Sequence, residues 1–198
     1  IRADLDAMRA RFPTGPESPL DAQGEPALGV DHSALTLVWS KPLGDPLGGT
    51  ALANGRHEIK MFEPAAASDT PAAAPFLLLG SLQFSDACLR VYGHPLLLQV
   101  AEQINGPDFA PFNEALFIKD PGIGAAVSWH QDGVTHWDSE HFEEDIHGFN
   151  FMAQVYGSTA VNGVWVLPGT HKQGKLDIKA LVAESGSERL KGALPLSC

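Results

Sequence analysis

The chain changes character near residue 107, and this change constrains the fold more than any other feature of its 198 residues. Beyond it, short apolar runs alternate with Gly, Pro and Asn, which favour turns. These runs cover residues 115–119, 125–130, 149–156 and 164–167. Runs of this length between turn residues are typical of antiparallel strands. The sequence therefore predicts an all-β part with hairpins, as a barrel or a sandwich.

The part before residue 107 is helical and irregular. Leu5, Met8 and Phe12 are spaced for one face of a short helix that Pro13 ends. Two more helical segments follow Ser85, separated at residues 93–95 and ended at 105–107. Strands are predicted at 35–39 and 58–62, and the alanine- and proline-rich stretch 64–75 is predicted to be a mobile linker or surface loop. The fold class is thus mainly β with flanking helices.

Charge and cysteine content exclude several functions. The chain has 13 Lys+Arg against 24 Asp+Glu, a net charge of −11, so it has no basic field for nucleic acid or anionic lipid. Its apolar runs fall far short of the roughly 20 residues of a membrane span. Cys88 and Cys198 are too few for a disulfide framework or a thiolate zinc site, and no signal-peptide pattern opens the chain, so we expect a cytoplasmic protein. Phosphate-loop, dinucleotide and serine-hydrolase motifs are absent.

The segment Ser128-Trp129-His130-Gln131-Asp132-Gly133 carries the clearest chemistry. On a strand, His130 and Asp132 would share one face and Gln131 would point to the other. An imidazole and a carboxylate so placed supply two ligands of the 2-His-1-carboxylate triad of non-haem Fe(II). Alone, the spacing is a weak signal, since a His and an Asp near an exposed turn have it too.

Two further segments strengthen this interpretation. Residues 119–124 read K-D-P-G-I-G, and residues 162–174 read N-G-V-W-V-L-P-G-T-H-K-Q-G. In order and spacing, over about residues 85–180, the chain resembles the phytanoyl-CoA dioxygenase family of Fe(II)/2-oxoglutarate-dependent oxygenases. The resemblance implies a double-stranded β-helix (jelly-roll, cupin-like) core, with one oxygenase domain over 1–198. Residues 1–107 would form its N-terminal helical part and 108–198 the first part of the core.

The resemblance also implies an activity and a set of site residues. The expected reaction is hydroxylation of a small organic molecule, with 2-oxoglutarate and O₂ converted to succinate and CO₂. His130 and Asp132 match the metal ligands and are the expected catalytic residues. Four residues are expected near 2-oxoglutarate, namely Lys119, Gln131, Met152 and Gln154. The loop after Asp132 is expected to supply substrate contacts, namely His136, Trp137 and Phe142. Neither the substrate nor the oligomeric state follows from the sequence.

The sequence departs from the family at one point. The family's third metal ligand, a histidine in an H-G-S-type segment, and the arginine after it have no counterpart before Cys198. We expect the chain to be a fragment whose remaining core strands lie beyond Cys198. One alternative is a catalytically silent jelly-roll binding protein with an incomplete triad. Another is a cupin-type metal enzyme that uses loop histidines, namely His136, His141 and His147. His171 is assigned to a structural turn.

Overall fold

The computed structural model describes residues 1–31, 34–43, 68–124, 127–131, 148–185 and 190–198. The predicted strand at 58–62 lies outside these ranges, as do Asp132 and the residues that follow it as far as 147. The described residues fall into two compact units. The first contains 1–31, 34–43 and 68–124, and the second contains 127–131, 148–185 and 190–198.

The first unit contains a three-stranded antiparallel sheet in the order β1-β2-β3. Its strands are β1 (Thr36–Ser40), β2 (Ala74–Leu79) and β3 (Leu116–Phe117). The strands predicted at 35–39 and 115–119 are confirmed. The middle strand, β2, was not predicted, because its first two residues lie at the end of the predicted linker.

That linker prediction is wrong for Ala74 and Pro75. Ala74 is buried at 3% exposure, and Pro75 pairs with Trp39 where the register between β1 and β2 shifts. Proline lacks an N–H and is tolerated in sheets at such irregularities. The residues after it alternate between buried and half-buried, as expected of a strand with one face toward a core.

The two helices after Ser85 begin and end at the predicted signals, whereas the first helix ends at Arg9, before the predicted stop at Pro13. The helices of the first unit are α1 (Arg2–Arg9), α2 (Asp86–Tyr92) and α3 (Pro95–Asn105). The Ser85 hydroxyl accepts from the Cys88 N–H at the start of α2, and Gly106 ends α3 with φ of 82°. Within the described ranges, no helix is long and apolar enough to cross a membrane.

The core of this unit joins α1 to the sheet. Met8, Leu28 and Leu78 are its buried residues, and Leu78 is only 1% exposed. The end of β2 is fixed by Glu114, whose carboxylate accepts from the Gly80 N–H at 2.7 Å and from the Ser81 hydroxyl at 2.8 Å. Gly80 has φ of 89°, and a Cβ there would lie 2.5 Å from the Ala34 carbonyl oxygen. Only glycine fits this position.

A serine couples α1 to α2 and makes their contact sensitive to acid. The Ser85 hydroxyl donates to the Asp4 carboxylate at 2.6 Å, and this bond is the main cause that lowers the pKa of Asp4. The contact therefore stabilises the fold above the ordinary carboxyl range and is lost as pH falls through the lowered pKa. We expect Ser85→Ala to raise the pKa of Asp4 in a carboxyl NMR titration. An unchanged titration would contradict this coupling.

The second unit pairs β4 (Trp165–Val166) with β5 (Leu194–Pro195), antiparallel, beside α4 (Ile178–Ser185). Its core contains Ile178, Val182 and Leu190. The strand predicted at 164–167 is confirmed, and β5 was not predicted.

Two other strand predictions are wrong over the residues described. No strand forms in 127–131 or in 148–156. A hairpin between 149–156 and 164–167 was expected, but the C-terminal segment takes that pairing. Its residues bond to both sides of the turn, with Leu196 N–H on the Val164 carbonyl at 2.8 Å and Cys198 N–H on the Ser158 carbonyl at 3.1 Å. The described residues thus show small antiparallel sheets with helices, short of a complete jelly roll.

Candidate metal centre

The segment Ser128–Gln131 is fixed by its side chains rather than by a strand ladder. Ser128 is buried at 6% exposure. The indole of Trp129 packs against the core cluster that α4 forms with Leu190. Because Trp129 packs against this core, the position of the neighbouring His130 backbone is fixed relative to it.

The His130 ring makes a contact that fits a metal ligand. Its Nδ1 lies 2.8 Å from the Ser128 carbonyl oxygen, and the ring is half-buried. A carbonyl oxygen only accepts hydrogen bonds, so Nδ1 carries the proton. In the neutral imidazole the lone pair is then on Nε2, the nitrogen that would bind a metal. Histidines that bind metals typically donate their other N–H in this way.

Gln131 bonds to the main chain of a distant segment through both ends of its amide. Its Nε2 donates to the Gly174 carbonyl at 3.0 Å, and its Oε1 accepts from the Leu176 N–H at 2.7 Å. These two main-chain groups flank Lys175 and are the pair that a neighbouring strand would use. The side chain is half-buried. The contact predicted for Gln131 with 2-oxoglutarate is not tested by this geometry.

The segment that receives Gln131 is the P-G-T-H-K-Q-G motif. Gly169 has φ of 87°, and the Thr170 hydroxyl donates to the Leu167 carbonyl at 2.8 Å, which starts a single 3-10 turn over Thr170–Lys172. Gly174 closes the motif with φ of 69°. His171 is exposed within this turn. We call residues 168–176 the docking turn.

The Asn-Gly pair before β4 closes a tight turn. The Asn162 side-chain oxygen accepts from the Thr159 N–H at 2.8 Å, and the Gly163 N–H donates to the Thr159 carbonyl at 2.8 Å. A Cβ on Gly163 would lie 2.1 Å from the Ser158 hydroxyl and 3.0 Å from the Leu196 carbonyl oxygen. Glycine is required here because the same Cβ would also lie 2.6 Å from the Thr159 carbonyl oxygen of the turn itself.

Lys119 lies in the first unit, at the start of the K-D-P-G-I-G turn. It is exposed, while the buried Gly124 sits against its stem: a Cβ on Gly124 would lie 2.5 Å from Lys119 Cγ. The next residue, Asp120, accepts from both terminal nitrogens of Arg9 at the end of α1. The turn is therefore held at two points, and the role predicted for Lys119 stays a prediction.

Met152 and Gln154 are exposed and lie outside any strand. The nearby Phe149 and Phe151 rings pack edge to face, with centroids 5.1 Å apart. The strand predicted over 149–156 is therefore not supported by a ladder, and the predicted roles of Met152 and Gln154 remain predictions.

The remaining predicted site residues lie outside the described ranges. These are Asp132, His136, Trp137 and Phe142, together with His141 and His147, the other two histidines of the cupin-type alternative. Within the ranges that are described, no group of three His, Cys, Asp or Glu side chains is arranged to hold a metal. His130 is thus the one predicted metal ligand with a described position.

Comparison with known proteins identifies the family. The sequence matches the family model for phytanoyl-CoA dioxygenase (PhyH) over residues 50–188, more than half of the chain. The chain belongs to the phytanoyl-CoA dioxygenase family. No curated protein and no solved structure gives a significant match to it. Phytanoyl-CoA dioxygenase family members are typically Fe(II)/2-oxoglutarate oxygenases with a double-stranded β-helix core, which agrees with the resemblance of the three motifs.

Sequence reasoning did not anticipate three contacts of this site. The Ser128 carbonyl on His130, the Trp129 anchor on α4 and the Gln131 bonds to the docking turn all came from the structure. A local signal exists only for the first, since acceptor and donor are two residues apart. The other two join residues more than 40 positions apart, and a single sequence does not show such pairings.

Proposed function

We propose that the protein is an Fe(II)- and 2-oxoglutarate-dependent oxygenase that hydroxylates a small organic molecule. The observation that carries this proposal is the tautomer of His130. The Ser128 carbonyl holds the proton on Nδ1, within the motif that the family match covers. A solvated histidine near an exposed turn has no such fixed proton and is the alternative this contact disfavours.

His130 and Asp132 are the residues that would hold the iron in this proposal. An imidazole nitrogen and a carboxylate oxygen suit Fe(II) and leave coordination positions open. When bound, the iron would supply activation of O₂ at the expense of 2-oxoglutarate, yielding succinate and CO₂ with the hydroxylated product. A third protein ligand is part of the proposal and is assigned to none of the described residues.

The chain's own residues would orient the reactants and keep water out. Lys119, Met152 and Gln154 are proposed to lie near 2-oxoglutarate: the lysine as a cation for a carboxylate, the glutamine as a hydrogen-bond donor and the methionine as packing. His136, Trp137 and Phe142 are proposed substrate contacts in the loop after Asp132. The substrate class stays open, because fold and family fix the reaction type rather than the molecule that reacts.

Anaerobic binding of Fe(II) tests this function directly. Equilibrium dialysis of the protein against Fe(II), with and without 2-oxoglutarate, measures both the stoichiometry and the coupling between the two ligands. We expect one Fe(II) per chain and a higher Fe(II) affinity when 2-oxoglutarate is present, because a chelating co-substrate adds ligands to the same ion.

Two outcomes would contradict the proposal. Absence of Fe(II) binding would favour the silent jelly-roll binding protein. Binding of Fe(II) whose affinity is the same with and without 2-oxoglutarate would favour a cupin-type metal enzyme that uses the loop histidines. In the second case, a variant lacking His136, His141 and His147 would lose the metal, whereas the oxygenase site would retain it.

A further inference from the structure

The docking turn and the W-H-Q-D-G segment are joined by one side chain. Gln131 occupies the sequence position between the two proposed metal ligands, His130 and Asp132. Its amide nitrogen and oxygen are bonded to Gly174 and Leu176, at 3.0 and 2.7 Å. Both bonds satisfy main-chain groups of a segment 43 and 45 residues away.

We propose that Gln131 is a positioning residue for the metal ligands on either side of it, a role that rests on the proposed function. Its amide takes the place of a peptide group in a two-bond ladder with the docking turn. The backbone of Gln131, directly after His130, is thereby held at a fixed distance from that turn. This gives Gln131 two main-chain partners, and the 2-oxoglutarate contact that the sequence predicted for it stays a prediction.

Three neighbouring features hold the two partners of this contact in place. Trp129 is anchored in the α4 cluster, so the segment is fixed on one side by apolar packing and on the other by the Gln131 amide. The left-handed Gly174, with φ of 69°, turns its carbonyl toward the Gln131 donor after the 3-10 turn. The docking turn itself is held by the Thr170 hydroxyl on the Leu167 carbonyl. Residues 128–131 and the docking turn are therefore held together by these contacts.

The test compares metal binding by three single variants and one double variant of the whole chain. Gln131→Met keeps the volume of the side chain and removes both hydrogen bonds. Gly174→Ala puts strain on the carbonyl that accepts from Gln131, in open space where a Cβ meets no atom within 4 Å. Gln173→Ala is the matched control, because that glutamine is exposed on the same turn. Mn(II), a redox-stable probe for the iron site, is titrated by electron paramagnetic resonance, well below each protein's Tm.

We expect Gln131→Met and Gly174→Ala each to weaken Mn(II) binding by about 10- to 100-fold, the usual effect of losing a group that orients a ligand. The double variant should be no weaker than the worse single variant, since both remove the same contact. Gln173→Ala should bind as the unchanged protein does. A purely structural role would lower Tm and leave the affinity and the spectral line shape of the folded protein unaltered.

The outcomes separate this inference from the proposed function. Unchanged Mn(II) affinity in a folded Gln131→Met variant would overturn the positioning role and leave the oxygenase proposal standing. Failure of the unchanged protein to bind Mn(II) would overturn both. If Gln131→Met does not fold, Gly174→Ala decides alone: weakened binding supports the role, and wild-type binding overturns it.

Discussion

Replacing Asp132 by alanine is expected to abolish 2-oxoglutarate turnover. The carboxylate is the proposed anionic ligand of the iron, and alanine offers no donor in its place. Loss of a group that merely orients a ligand costs about 10- to 100-fold in metal affinity, so loss of the ligand itself should exceed about 100-fold. Succinate formation with Fe(II) and O₂ measures the effect, and dialysis against Fe(II) shows whether binding is lost with it.

Asp108→Ala is the matched control for this variant. Asp108 is an exposed aspartate after α3, in the first unit, and the net charge changes by the same amount in both variants. Equal turnover by the Asp108 variant and the unchanged protein would show that charge alone does not matter. An Asp132→Ala variant that still forms succinate at the original rate would remove the proposed centre from this motif.

Much of the first unit could be predicted because its signals are local. Ser85 begins α2, Pro95 stands at the first position of α3 and Gly106 ends it, each within one turn of the helix it governs. Strand β2 was missed because its first residues, Ala74 and Pro75, continue an alanine- and proline-rich stretch. Only its pairing with β1 on one side and with β3 on the other shows that the segment is the middle of a sheet.

The second unit was harder to predict because its pairings are distant. The apolar run at 149–156 has the composition of a strand, yet a strand needs a partner, and the positions beside Val164 and Ser158 are taken by Leu196 and Cys198. The same limit applies to the candidate site. The sequence placed His130 and Asp132 in one motif, and it placed the docking turn in another. The Gln131 bonds that join the two motifs link residues 43 and 45 positions apart, which a single sequence does not reveal.

Leu78→Ala is expected to destabilise the first unit strongly. Leu78 is 1% exposed on the middle strand and packs with Met8 and Leu28. Removing its side chain loses apolar burial and leaves a cavity where helix α1 meets the sheet, which together cost about 2–5 kcal/mol. Hydrogen exchange of the β1 and β2 amides under native conditions reports the opening free energy of this unit by itself.

Leu96→Ala provides the comparison that gives this measurement its meaning. It removes the same atoms from a leucine of α3 that is 64% exposed, so neither much buried area nor a cavity is at stake. Substitutions at such surface positions usually stay within about 0.5 kcal/mol. A Leu78 variant that exchanges its β1 and β2 amides no faster than the Leu96 variant would mean that the packing of Met8 and Leu28 on the sheet does not hold this unit together. Faster exchange in the Leu78 variant alone would locate the stability of the unit at the contact between α1 and β2.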